Sequence, residues 1–129
     1  MASTKHNTRK QRESVSKRIG DKATAWIWRR DRCQCAYCGV ALTPGRGAHL
    51  DHLTPAHHGG ADVVTNLVLA CESCNSARQD MSLAQWAAYA KATYGLTVRP
   101  ARILARAATP VPAALAGTGR AWLGCPVAA

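Results

Sequence analysis

Two Cys-x-x-Cys pairs, short extended segments between them, and helix patterns on either side predict a small α+β domain stapled by a metal ion. The pairs are Cys35-Ala-Tyr-Cys38 and Cys71-Glu-Ser-Cys74, separated by 32 residues, in a chain of 129 that has room for one modest domain. Four thiolates are the donor set of a closed tetrahedral zinc site, with Zn–S bonds of about 2.3 Å. A redox Cys-x-x-Cys would use one pair beside a parallel sheet, and no βαβ pattern is present. Cys33 offers a competing sulfur, but only Cys35 has the two-residue spacing to Cys38 that lets both sulfurs and the intervening amides wrap one ion. Cys125 stands alone and reads as a free thiol.

Residues 1–20 have only Val15 and Ile19 as strong apolar anchors and read as a flexible basic arm. Asp21 is an N-cap candidate for a helix of about three turns carrying Ala23, Ala25, Trp26, Ile27 and Trp28, with a basic end at Arg29, Arg30 and Arg32. Residues 33–47 are punctuated by Gly39, Pro44, Gly45 and Gly47 and read as loop, with a strand stub over Val40–Leu42. AHLDHLTP reads as a short strand ending at Pro55, and VVTNLVLAC as a second extended piece leading into a helix that starts near Cys74. Ser82 and Gln85 make a capping-box pattern for a further helix that Gly95 stops. Residues 99–129 mix Ala, Pro and Gly without sustained period and read as a largely mobile tail, with one helical turn at Arg102 to Ala107. The expected domain is therefore 21–98, with its metal-bound core at about 33–79.

Charge is distributed unevenly. Residues 1–32 carry ten Lys or Arg against three acids, 33–98 carry three against four, and 99–129 carry four against none, which sums to the net +10. Basic flanks around a nearly neutral centre point to a polyanionic partner. No apolar run approaches the roughly 18 residues that cross a bilayer, and the polar N-terminus does not read as a signal peptide, so a cytoplasmic protein with no membrane partner is expected.

The centre also holds four of the five histidines, His49, His52, His57 and His58, in one twelve-residue stretch from His49 to Gly60. Histidine does not cluster for packing. Around it lie Asp51-His52, Thr54-Pro55, Gly59-Gly60, Asn66-Leu67 and then, directly after the last cysteine, Asn75 followed by Arg78. This order resembles the HNH family of metal-dependent endonucleases, in the variety with a four-cysteine zinc frame; the resemblance covers about residues 33–79. It implies a ββα-metal core with Asp51 and Asn75 as ligands of a catalytic divalent ion, His52 as general base and Asn66 as the residue that fixes the loop. Members of this kind are encoded by bacterial viruses, so the resemblance also implies a bacterial host cytoplasm and the phage packaging machinery as a partner.

Phosphodiester hydrolysis asks for these residue types. A neutral imidazole is basic enough near pH 7 to take a proton from water. A carboxylate and an amide oxygen make a hard site suited to Mg²⁺ or Mn²⁺ that leaves positions open for phosphate. Asp51 and His52 would point to opposite faces of a regular strand, so the strand is expected to end or bulge there. Asn75 and Arg78, three apart on one helix face, place Arg78 as a phosphate clamp; Arg29, Arg30 and Arg32 would hold further DNA phosphates. His49 can line the site, and His57 and His58 can contact substrate. The expected activity is nicking of DNA with little sequence preference. A zinc-knuckle nucleic-acid-binding module without catalysis is the alternative, and it leaves Asp51, His52 and Asn75 unexplained.

Overall fold

The computed structural model describes residues 14–113; residues 1–13 of the basic arm and the tail from 114, with Cys125, lie outside the described residues. Five helices and one two-stranded sheet are present among them: α1 (Val15–Ile19), α2 (Asp21–Arg30), β1 (Ala48–His52), β2 (Leu67–Cys71), α3 (Glu72–Arg78), α4 (Leu83–Tyr94) and α5 (Pro100–Ala107). The architecture is small α+β, with β1, β2 and α3 consecutive in space.

The sheet is antiparallel, running from Ala48 opposite Cys71 to His52 opposite Leu67. Two strands alone are marginal in water, and this pair survives because both faces of β2 are covered. Leu67 and Leu69 pack on one side against Ile27, Trp28 and Cys33. Val68 and Ala70 pack on the other against Tyr37, Leu53, Trp86, Ala90, Val98 and Ile103. The continuous apolar run LVLA is the sequence trace of that double burial.

Local chemistry sets the helix ends. The Ser82 hydroxyl accepts from Gln85 N–H while the Gln85 side chain accepts from Ser82 N–H, completing the capping box, and Gly95 closes α4 at φ 68°. Cys71 caps α3 with its sulfur, so the helix begins at Glu72, two residues ahead of the start expected from sequence.

Two segments depart from the sequence expectation. The end of the basic arm forms α1, capped by Ser14. The tail holds a full helix, α5, which buries Ile103 and Ala107, so the packed unit extends beyond residue 98. The reason for the second is Arg30. Its Nε and one terminal nitrogen make paired hydrogen bonds to Asp31, and its guanidinium also donates to the carbonyls of Val64, Leu67 and Ala107. Asp31 in turn accepts from Leu69 N–H. Arg30 is 7 % exposed and Asp31 1 %. An arginine that sequence places at a DNA surface is instead an internal tie between α2, β2 and α5; Arg29 and Arg32 remain exposed.

Candidate active site and metal centre

The loop after α2 turns back through Arg32 and Cys33, both at positive φ, and a bridge between Gln34 and Ala41 closes it into a knuckle. The knuckle brings Cys35 and Cys38 against Cys71 at the end of β2 and Cys74 in the first turn of α3. All four sulfurs lie within 4.8 Å of one another. Tetrahedral bonds of about 2.3 Å require ligand sulfurs about 3.8 Å apart, and Cys38 Sγ to Cys71 Sγ is 3.8 Å. Backbone N–H groups of Tyr37 and Cys38 point at Cys35 Sγ, and that of Cys74 at Cys71 Sγ, supplying the donors that stabilise thiolates. Burial opposes ionisation of Cys71, but the N–H and thiol donors around it bring its thiol below the ordinary range; burial and its anionic neighbours push Cys74 up and Cys38 up to about 11. That pattern belongs to four thiols forced together, which a single cation relieves, and the donor set fits a closed tetrahedral metal site. Cys33 is no part of it: its sulfur faces the Trp28 carbonyl at 3.7 Å in the cluster on the opposite face of the sheet.

β1 is regular through His52 and ends there, so no bulge swings Asp51 and His52 to one side. Asp51 faces α3. Its Oδ2 accepts from Tyr37 Oη at 2.5 Å and from Arg78 at 2.8 Å, while Oδ1 has no hydrogen-bond partner among the described residues. Burial, then the Asp51 charge, hold the Tyr37 phenol protonated, far above its usual range, so it acts as a fixed donor. His52 leaves the other face, and its Nε2 lies 2.7 Å from Asp62 Oδ1.

Arg78 is 0 % exposed. Its five donors go to Asp51, Tyr37 Oη and the carbonyls of His52, Leu53 and Met81. The clamp expected from its helix position is therefore corrected: it stands behind the end of β1, holding Asp51 and the strand terminus, and has no donor left for a phosphate.

Asn66 closes the loop between the strands. Its Oδ1 accepts from Thr54 N–H, and its Nδ2 donates to the carbonyls of Thr54 and Ala61. Gly60 is obligatory here, because a Cβ at that position would lie 1.7 Å from the Thr54 carbonyl oxygen and 2.9 Å from Asn66 Nδ2.

A groove of about 590 Å³ is lined by Asn75, His49, Ala48, Leu50, Arg18 and Trp28 among others. His49 comes from one face of β1 and Ala48 and Leu50 from the other, so the groove crosses the unpaired edge of that strand. Neither the Asn75 carboxamide nor the His49 imidazole has a hydrogen-bond partner among the described residues. His57 and His58 sit outside it on an exposed turn, with His58 Nε2 3.9 Å from Asp80.

Residues 33–80 match the HNH endonuclease family. This segment is an HNH domain. Over 74 residues the chain is 36 % identical to a CRISPR-associated endonuclease Cas9 of Corynebacterium diphtheriae, an alignment covering 53 % of this chain and 7 % of that protein. Over 60 residues it is 30 % identical to an SPbeta prophage-derived protein of Bacillus subtilis named as an HNH endonuclease, covering 41 % and 26 %. The chain thus spans only a small part of either relative. No described helix is long and apolar enough to cross a membrane.

Three residues in contact with the candidate site residues or with one another escape a sequence reading of the site. Tyr37 hides inside a Cys-x-x-Cys pair as an apparent spacer. Arg18 lies outside the motif altogether. Asp62 left a weak signal, as the only acid between Pro55 and Asn66.

Proposed function

We propose that the protein is a metal-dependent DNA endonuclease that nicks phosphodiester bonds with little sequence preference, using His52 as general base. The observation that carries this reading is the groove across the edge of β1. It gathers Asn75 and His49 with unpaired polar groups, and Arg18 on its lining bonds the carboxylate that holds the His52 imidazole, while Asp51 and His52 themselves are not among its lining residues. Because Asp51 and His52 leave opposite faces of β1, a phosphate served by both lies across the strand edge or its end rather than over one face.

His52 takes the proton from a water as that water attacks phosphorus and the bond to the 3′ oxygen breaks. Asp51, through its unpaired Oδ1, and the Asn75 carboxamide are the residues that would hold a hard divalent ion, Mg²⁺ or Mn²⁺. Such an ion supplies positive charge to the phosphate and the departing oxygen. Arg78 and Tyr37 fix Asp51 through one oxygen and leave the other unpaired, and Asn66 fixes the loop behind His52. The four cysteines bind zinc with no open position, a structural role. Exposed Arg29 and Arg32, with Arg99, Arg102 and Arg106, contribute phosphate contacts that carry no sequence information.

One observation favours a second reading, a zinc-knuckle module that binds nucleic acid without cutting: Asp51 has an oxygen committed to Tyr37 and Arg78. Supercoiled-plasmid relaxation with Mg²⁺, Mn²⁺ or EDTA, run beside His52→Ala, separates the two. Metal-dependent nicking that disappears in the variant supports the nuclease. Binding without cleavage under every metal supports the module.

A further inference from the structure

We propose that Asp62 and Arg18 form a positioning relay for His52, and that α1, outside the matched HNH segment, is thereby part of the catalytic apparatus. The inference rests on the reading of His52 as general base. The geometry is a chain of two contacts through one carboxylate: His52 Nε2 to Asp62 Oδ1 at 2.7 Å, and Asp62 Oδ2 to Arg18 Nε at 2.9 Å. The His52 side chain is 13 % exposed, that of Arg18 25 % and that of Asp62 36 %.

A carboxylate that exposed, on a loop, has no reason of its own to hold one rotamer. Two ties fix it. Asn66 Nδ2 bonds the Ala61 carbonyl and anchors the backbone next to Asp62, while Arg18 anchors the carboxylate itself. Hydrogen bonds from Arg18, then from His52, also hold the Asp62 carboxyl below the usual carboxylate range, so it is ionised wherever a neutral imidazole exists. An ionised carboxylate accepts and does not donate, so the neutral imidazole must carry its proton on Nε2. Nδ1 is left with the lone pair that accepts the proton from water. Arg18 also lines the groove, so the residue that sets the relay stands where substrate would lie.

The test uses the full chain and plasmid nicking under saturating and limiting DNA, with Asp62→Ala, Arg18→Gln, the double variant, Arg18→Lys and His52→Ala. Asp62→Ala is expected to lower turnover about 10–100-fold with little change in KM, the scale of losing an orienting partner. Arg18→Gln should lose less, Arg18→Lys should recover part of that loss, and the double variant should be no slower than Asp62→Ala alone, because Arg18 acts through Asp62. Independently of cleavage, a hydrogen-bonded Nε2–H proton of His52 should appear at low field by NMR in the parent and vanish in Asp62→Ala. If Asp62→Ala does not fold, isosteric Asp62→Asn takes its place with the same direction of effect. Additive losses, or an Arg18→Gln defect confined to KM, would make Arg18 a substrate contact and overturn the relay. Unchanged turnover in Asp62→Ala beside an inactive His52→Ala would overturn the relay and leave the nuclease reading standing. A fully active His52→Ala would overturn both.

Discussion

Replacing Arg78 by Met should unfold the domain's centre rather than weaken substrate binding. The guanidinium is fully buried and serves a carboxylate, a phenol and three backbone carbonyls drawn from β1, the cysteine knuckle and the turn after α3. Met fills much of the volume but leaves Asp51, whose side chain is 12 % exposed, without its counter-charge. Removing one partner of a buried pair costs about 3–5 kcal/mol, out of the roughly 5–15 kcal/mol that hold a small domain together. Arg78→Lys should recover little of this, since one ammonium cannot span partners that a planar fork reaches on several sides. Urea unfolding followed by tryptophan fluorescence measures the difference directly. A loss under about 1 kcal/mol, the scale of an exposed ion pair, with a rise in KM would refute the buried-tie account and restore the phosphate clamp.

Cys38 is exposed, where replacing a thiol by a hydroxyl would ordinarily change stability by no more than about 0.5 kcal/mol. Cys38→Ser and chelator should nonetheless both collapse the thermal transition, because an ion held by four thiolates is folding free energy here; a transition unmoved by chelator would exclude a structural ion. Gly60→Ala should abolish the native loop, since its Cβ would sit 1.7 Å from the Thr54 carbonyl oxygen, whereas Gly59→Asn, with nothing within 4 Å, meets only the left-handed backbone that Asn tolerates. Equal thermal midpoints for the two variants would contradict the packing described. The Asp62 carboxyl has a folded-state pKa below its unfolded one, so its contribution is present above about pH 4 and is lost as pH falls through the lower folded value. Side-chain ¹³C titration should place its midpoint below about 3.9, the unperturbed Asp value, and a midpoint at or above that value in the folded protein would remove the Arg18 and His52 contacts from the account.

The cysteine pairs and the α+β class were legible in sequence because each depends on residue type and short-range spacing, whereas Asp51, His52, Asn66 and Asn75 were singled out by the order of a motif that resembles a known family. Thiolates three positions apart chelate, Ser82 with Gln85 caps, and Gly95 stops a helix whatever surrounds them. Tertiary structure decided which charged side chains face water. Arg29, Arg30 and Arg32 form one basic cluster in sequence, yet Arg30 turns inward because Asp31 and three carbonyls from distant elements converge on it; Arg78 is buried by the same kind of convergence. Helical periodicity shows that two residues share a face and says nothing of what packs on that face. The His52–Asp62–Arg18 chain joins residues 10 and 44 positions apart, and the contact of α5 with Arg30 spans 77. Such pairings exist only once the loop between the strands has closed, and no local pattern in the chain encodes them.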